Sequence, residues 1–327
     1  MNVRARGPSN IALVKYWGKR DLRLNVPATG SISVTLDGLE TEALVAFPPG
    51  LGKDEIRIDG RDDPKGAARV VRFLDLVRET LGEARFARID SRNNFPTGAG
   101  LASSASAFAA LAIGVDRALD LGLSQAELSV LARRGSGSAA RSLIDGYAEM
   151  HAGEREDGTD AYAVQLGGPE LLPMEILVAV TTRAPKTVAS TEGMVRTQNT
   201  SPFHEAWVSR TKDDLEEMRR ALRAQDLERV GHLAEQNALR MHASMLASDP
   251  PLLYFNPATV AVIQDVHRMR AEGEHAWVTI DAGPQVKVLC PPGRGDAIAA
   301  RLAAVEGVET LLRSRPGRGA SILEATA

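Results

Sequence analysis

Apolar and polar positions first alternate along this chain and then repeat at helical intervals. "SISVTL" (31–36), "EALVAF" (42–47) and "DEIRID" (54–59) carry β-branched residues in partial alternation, with turn residues between them, and predict three short strands. Val70, Val71, Leu74, Val77 and Leu81 recur at helical spacing, and "ARFARID" (84–90) reads as a further strand. After Ser103, the stripe Phe108, Leu111, Val115 and Leu119 predicts an amphipathic helix, supported by its many alanines. Ser124 and Glu127 have capping-box spacing, so a second helix starts there and ends near "GSGSAARS" (135–142). "EILVAVTT" (175–182) is the most strand-like stretch in the chain. Beyond about residue 185 the pattern lengthens into helices over roughly 203–224 and 226–246, and Asn256-Pro257 is a cap followed by an N1 proline. Strands "AWVTID" (276–281) and "QVKVLC" (285–290) follow, then a helix with Ile298, Leu302 and Val305, and a last strand near "ASILEA". Strands and helices mix without regular βαβ repetition, which favours an α+β fold over a doubly wound sheet. There is no internal repeat.

Length and charge narrow the class. At 327 residues the chain exceeds one typical domain, so two domains sharing a cleft are expected. Net charge of −3 gives no overall attraction to nucleic acid or to an anionic membrane, so any anionic ligand must meet a local basic cluster. The single cysteine, Cys290, excludes an internal disulfide and a thiolate metal cluster. The opening "MNVRARGPSN" lacks the apolar run of a secretory signal, and no run approaches the roughly 18 apolar residues of a membrane span. A cytoplasmic protein is expected.

Four stretches carry candidate chemistry. "PTGAGLASS" leads into the Phe108 helix, whose first-turn N–H groups and dipole make a seat for phosphate, with Ser103 and Ser104 as added hydroxyls. A plain turn with a capping serine explains the same residues, and no Walker or GxGxxG pattern is present. A second small-residue segment, "RRGSGSAARS" (133–142), adds donors, and Arg141 offers a bidentate fork to phosphate or carboxylate. "NIALVKYWGKRD" (10–21) groups Lys15, Lys19 and Arg20 around Tyr16 and Trp17, a set that suits a small anion or a stacked base. In "TIDAGPQVKV", Asp281 ends a strand beside a Gly-Pro turn, where it either serves that turn or faces a cleft as a base or magnesium contact. The six histidines show no metal-ligand spacing, and "EREDGTD" (154–160) does not match a calcium loop.

Taken together and in order, "NIALVKYWGKRD", "NNFPTGAGLASSAS", "SGSAARS", "STEGM" and "DAGP" resemble the mevalonate diphosphate decarboxylase family of the GHMP superfamily of small-molecule kinases. The glycine-serine loop alone points only to the superfamily; "KYWGK" with "SGSAxRS" and a late "DAGP" is specific. The resemblance implies an α+β GHMP kinase-like fold: an N-terminal domain like ribosomal protein S5 domain 2 (1–185) and a ferredoxin-like C-terminal domain (186–327) that contributes the catalytic aspartate. It implies ATP and Mg²⁺, a homodimer, and conversion of (R)-5-diphosphomevalonate to isopentenyl diphosphate, CO₂, ADP and phosphate.

Carried onto this chain, the resemblance makes Asp281, Arg141 and Lys15 catalytic. It assigns the substrate to Asn10, Tyr16, Lys19, Ser138, Arg141, Ser190 and Thr191. The nucleotide falls to Pro96, Gly98, Ala99, Gly100, Leu101, Ala102, Ser103, Ser104, Ser106 and Ser136, with Ser104 a candidate Mg²⁺ contact. Three positions depart from the family: "PTAAG" is "PTGAG", "DAGPN" is "DAGPQ", and an arginine of some bacterial relatives is Thr191. The alternatives are a decarboxylase of the monophosphate, a superfamily kinase that releases no CO₂, and a nonenzymatic nucleotide- or RNA-binding protein.

Overall fold

The computed structural model describes every residue except 62, 96–102, 185 and 327 and the side chain of residue 81. The chain opens with a long strand, β1 (Asn2–Val14), whose alternation is broken by Gly7-Pro8 and then becomes buried on both faces, so periodicity alone did not reveal it. A small ribbon, β2 (Lys19–Asp21) with β3 (Val26–Pro27), precedes β4 (Ser31–Ala46). β4 joins two of the expected strands: Asp37-Gly38 reads as a turn, but the strand continues through it, antiparallel to β1 with shifts of register. Then come β5 (Glu55–Ile58), α1 (Pro64–Leu81), β6 (Arg88–Asn93), α2 (Ser103–Leu119), α3 (Gln125–Gly135), the short α4 (Ala139–Ser142), β7 (Tyr147–Met150) and β8 (Ala163–Gly167). The first sheet runs β1-β4-β6-β5, with β7 and β8 branching from β4 and the chain's last strand, Ser321–Thr326, pairing with the outer edge of β1.

The second half contains β9 (Glu175–Val180), α5 (Ser190–Thr200), α6 (His204–Arg223), α7 (Leu227–Leu246), α8 (Pro257–Ala271), β10 (Trp277–Ile280), β11 (Val286–Cys290), α9 (Gly295–Ala303), β12 (Thr310–Ser314) and β13 (Ser321–Thr326). Its four-stranded sheet has the order β10-β11-β9-β12. That sheet takes in β9, which precedes residue 186, while the final strand β13 returns to pair with β1.

Local signals in the sequence hold where the chemistry is local. Ser124 and Glu127 form the reciprocal capping box of α3, and Asn256 caps α8 ahead of Pro257. α1 and α2 pack Phe73, Val77, Phe108 and Leu111 against Val45 and Ile89 of the first sheet. A second core, including Ile11, Val34, Val178, Leu215 and Leu233, joins both sheets to α6 and α7, so the two halves meet through buried apolar surface.

α7 lies flush on the second sheet because Gly231 leaves room for the Trp277 indole; a Cβ there would run into the ring. Trp277 is itself buried. Gly231→Ala should therefore cost about 1–3 kcal/mol in overpacking against about 1 kcal/mol of helix propensity gained. The expected readout is a lower urea midpoint with an unchanged slope; a midpoint equal to or above that of the parent would show that the contact is not tight.

Candidate active site

A cleft of about 660 Å³ separates the halves. Its floor is set by β1, which ends at Val14 and delivers Lys15, Tyr16 and Trp17 into the gap. β10 ends at Ile280 and delivers Asp281 from the other side. The Lys15 Nζ donates to Asp281 Oδ1 at 2.7 Å and to the Ala12 carbonyl at 2.8 Å. Lys287, on β11 opposite Thr279, brings its Nζ to 3.1 Å from Asp281 Oδ2. Both lysine side chains are 1% exposed and the Asp281 side chain is 27% exposed, so the carboxylate is clamped from behind and open toward the cleft.

The electrostatics follow from that packing. Burial alone would raise the Asp281 carboxyl, but Lys15 and Lys287 outweigh it and hold the group well below the usual carboxylate range. Burial pushes the Lys15 ammonium down to about 8, with Asp281 opposing and Lys287 assisting. Lys186 is likewise brought down to about 8 by burial and by neighbouring Lys287; its Nζ donates to Ser190 Oγ and to the Ala282 carbonyl, both at 2.8 Å.

Arg141 stands on α4 with its side chain buried. It donates to Ser31 Oγ at 2.6 Å and to Asn10 Oδ1 at 3.3 Å, while its Nε has no partner among the described residues. Asn10 is held in turn by donating to the Ser138 carbonyl and Ser142 Oγ. Gly137 lets the second serine loop close against the Tyr16 ring, since a Cβ at that position would strike it. The Tyr16 hydroxyl is buried with no partner among the described residues, and burial raises its pKa strongly, so it stays a proton donor. Lys19 Nζ reaches Thr191 Oγ1 at 3.4 Å, and Ser104 Oγ lies 3.1 Å from Ser136 Oγ.

Charge decides what the cleft can hold. Among the described residues, seven cationic side chains line it (Lys15, Lys19, Arg69, Arg72, Arg134, Arg141 and Lys186), against one carboxylate, Asp281. In a chain of net charge −3 this is a concentrated seat for polyanions. No group of three or more acid, histidine or cysteine side chains able to hold a metal occurs among the described residues. Magnesium fits such a site only as an ion carried largely by phosphate oxygens, with Asp281 and the Ser104 hydroxyl as nearby protein oxygens.

The amino-terminal portion matches the diphosphomevalonate decarboxylase-like N-terminal domain over residues 7–163. Residues 176–313 match the mevalonate 5-diphosphate decarboxylase C-terminal domain. The chain belongs to the diphosphomevalonate decarboxylase family. Mevalonate diphosphate decarboxylase from Staphylococcus aureus superposes with a TM-score of 0.93 at 39% identity, covering 99% of this chain and 98% of that one. An MDDEF chain solved in complex with MVAPP, AMPPCP and magnesium superposes with a TM-score of 0.93 at 36% identity, covering 99% of each. Diphosphomevalonate decarboxylase from Eremothecium gossypii is 38% identical over 296 residues, 85% of this chain and 74% of that protein. The α+β GHMP kinase-like fold expected of a diphosphomevalonate decarboxylase is thus the fold observed.

Asn10, Lys15, Tyr16, Lys19, Ser103, Ser104, Ser136, Ser138, Arg141, Ser190, Thr191 and Asp281 all line the one cleft. Pro96, Gly98, Ala99, Gly100, Leu101 and Ala102 lie outside the described residues. Ser106, the fourth residue of α2, is not among the residues that line the cleft: its hydroxyl is buried, 2.6 Å from Thr41 Oγ1 of β4 and donating to the Ser103 carbonyl. The departure at Gln285 also faces away from the cleft; its amide accepts from the Thr181 N–H and donates to the Thr182 carbonyl, tying β11 to the end of β9. Sequence reasoning missed Lys287, Lys186, Arg69, Arg72 and Ser31. Lys287 had a signal: it is a lone charge inside the otherwise apolar strand "VKVLC".

Proposed function

We propose that Asp281, Lys15 and Arg141 carry the ATP-dependent decarboxylation of this diphosphomevalonate decarboxylase, converting (R)-5-diphosphomevalonate to isopentenyl diphosphate, CO₂, ADP and phosphate. The observation that supports this assignment is one carboxylate, open on one side, in a cleft whose other charged lining groups among the described residues are cations, with an incompletely paired guanidinium on the opposite lobe.

Hydroxide leaves a tertiary carbon poorly, so the 3-hydroxyl must first be phosphorylated. Asp281 accepts the hydrogen bond of that hydroxyl and points its oxygen at the incoming phosphoryl group. With its basicity lowered by two lysines, Asp281 takes the proton late, as the new O–P bond acidifies the hydroxyl. Bound Mg²⁺ supplies charge neutralisation of the transferring phosphoryl oxygens. Lys15 and Lys186 add fixed positive charge on the same side. Arg141, pinned by Ser31 and Asn10, forks the substrate carboxylate and aligns its C–C bond with the departing phosphate. The C–O bond then breaks with its pair going to phosphate, and the C–C pair forms the double bond as CO₂ leaves. Tyr16 and Lys19, with the Thr191 hydroxyl, serve the distal diphosphate; Ser103, Ser104 and Ser136 serve the nucleotide, together with residues 96–102. The domains divide at 185/186 in this reading: the nucleotide-binding serines, Lys15 and Arg141 come before it, and Asp281 comes after it together with Lys186, Ser190 and Thr191.

Assembly as a homodimer is part of the same reading, on the family resemblance. No helix among the described residues is long and apolar enough to cross a membrane. A cytoplasmic location fits the single buried thiol of Cys290.

Coupled measurement of ADP and CO₂ with mevalonate, its 5-phosphate and its 5-diphosphate tests the function. Equal release of both products from the diphosphate is expected; ADP without CO₂, or turnover confined to the monophosphate, would overturn it. The cations also set a pH limit. In the free enzyme Lys15 and Lys186 lose protons as the pH rises through about 8, so kcat/KM should fall above that point. Arginine stays charged there, so Lys15→Arg or Lys186→Arg should move the alkaline limb upward. A limb unmoved in both variants would assign it elsewhere.

A further inference from the structure

Behind the Lys15–Asp281 pair, α7 carries two polar side chains that reach backbone on opposite sides of the cleft floor. Asn237 Oδ1 accepts from the Lys15 amide N–H at 2.8 Å, and the Asn237 side chain is wholly buried. Five residues further on, His242 Nε2 lies 3.1 Å from the Asp281 carbonyl. A carbonyl only accepts, so that nitrogen carries the proton. The ring stacks on Phe255 with centroids 4.3 Å apart, and burial, aided by Lys15, pushes His242 down to about 3, so it works as a neutral donor.

The Asn237 amide cannot turn over. Its Nδ2 donates to Asp214 Oδ2 at 2.8 Å, and Asp214 is held by Arg240 at 3.0 Å to each oxygen and by Arg210 at 3.0 Å. A flipped amide would set N–H against N–H at Lys15 and oxygen against carboxylate at Asp214. A rigid chain of hydrogen bonds thus runs from α6 through α7 to the first residue beyond β1, and it fixes the backbone from which the Lys15 ammonium reaches Asp281. His242, about 7.5 Å along the same helix, fixes the other partner's backbone.

We propose that Asn237 is a positioning residue for catalysis, acting through Lys15 by holding the end of β1 in register with Asp281. This rests on the reading of Lys15 and Asp281 as the working pair. A general scaffold role would lower stability and leave catalysis by the folded fraction unchanged. A positioning role lowers kcat, and only while Lys15 is present.

The test is a double-substitution cycle with Asn237→Ala and Lys15→Met, read as kcat and KM with ATP and mevalonate 5-diphosphate, with thermal melts of every variant. Asn237→Ala should lower kcat by about tenfold or more with each KM changed by less than about threefold. In the Lys15→Met background the same substitution should change kcat by less than about twofold. An equal loss in both backgrounds, or parental kcat in folded Asn237→Ala, overturns the proposal. Parental kcat in Lys15→Met overturns instead the catalytic reading of Lys15, and the proposal with it. Should Asn237→Ala not fold, Asn237→Ser carries the same cycle, since the shorter hydroxyl leaves space for water against the Lys15 amide.

Discussion

Asp281→Asn is expected to lower kcat by about three orders of magnitude, with KM for both substrates within a fewfold of the parent. The amide keeps the shape of the carboxyl but removes the one carboxylate that, among the described residues, lines the cleft with seven cations. It cannot take the hydroxyl proton, and it removes the negative charge that the buried Lys15 and Lys287 ammonium groups share. Binding survives because the phosphates and the carboxylate of the substrate meet other cations. A thermal melt separates this loss from unfolding. Steady-state kcat within about tenfold of the parent would remove Asp281 from the chemistry.

Arg141→Gln is expected to cut CO₂ release by about a hundredfold while ADP formation falls less, because the fork acts on the carboxylate and the phosphoryl group is transferred elsewhere in the cleft. The substitution also takes the donors from Ser31 Oγ and Asn10 Oδ1. A stability loss of about 1–3 kcal/mol should accompany it, visible in denaturation and separable from kinetics. CO₂ released at the parent rate would show that the guanidinium does not hold the carboxylate.

Much of the secondary structure was legible because its causes are short-range. The α3 capping box spans four residues, and the Asn256-Pro257 start of α8 spans two. β1 was hidden because Gly7-Pro8 interrupts its alternation and its second half is buried on both faces. Asp37-Gly38 carries turn chemistry yet lies within β4, where pairing with the long β1 overrides the local preference. The site was legible as motifs but not as geometry. Lys15 and Asp281 stand 266 positions apart, and no spacing rule brings them together. Only the resemblance placed Arg141 opposite Asp281. A run of serines at a helix start does not say which of them faces the sheet, as Ser106 does with its hydroxyl against Thr41. Asn237 carried no signal at all: an asparagine within a long amphipathic helix reads as ordinary until the end of β1 is laid against it.

The central claim is that the acid of one lobe and the guanidinium of the other act on two neighbouring groups of one small molecule, its 3-hydroxyl and its carboxylate. A crystal structure of the enzyme with mevalonate 5-diphosphate and a nonhydrolysable ATP analogue tests it most directly. The account predicts the 3-hydroxyl about 2.6–3.2 Å from Asp281 and the carboxylate paired with the Arg141 fork. A hydroxyl turned away from Asp281, or a carboxylate bound by other cations with Arg141 still paired only to Ser31 and Asn10, would contradict it.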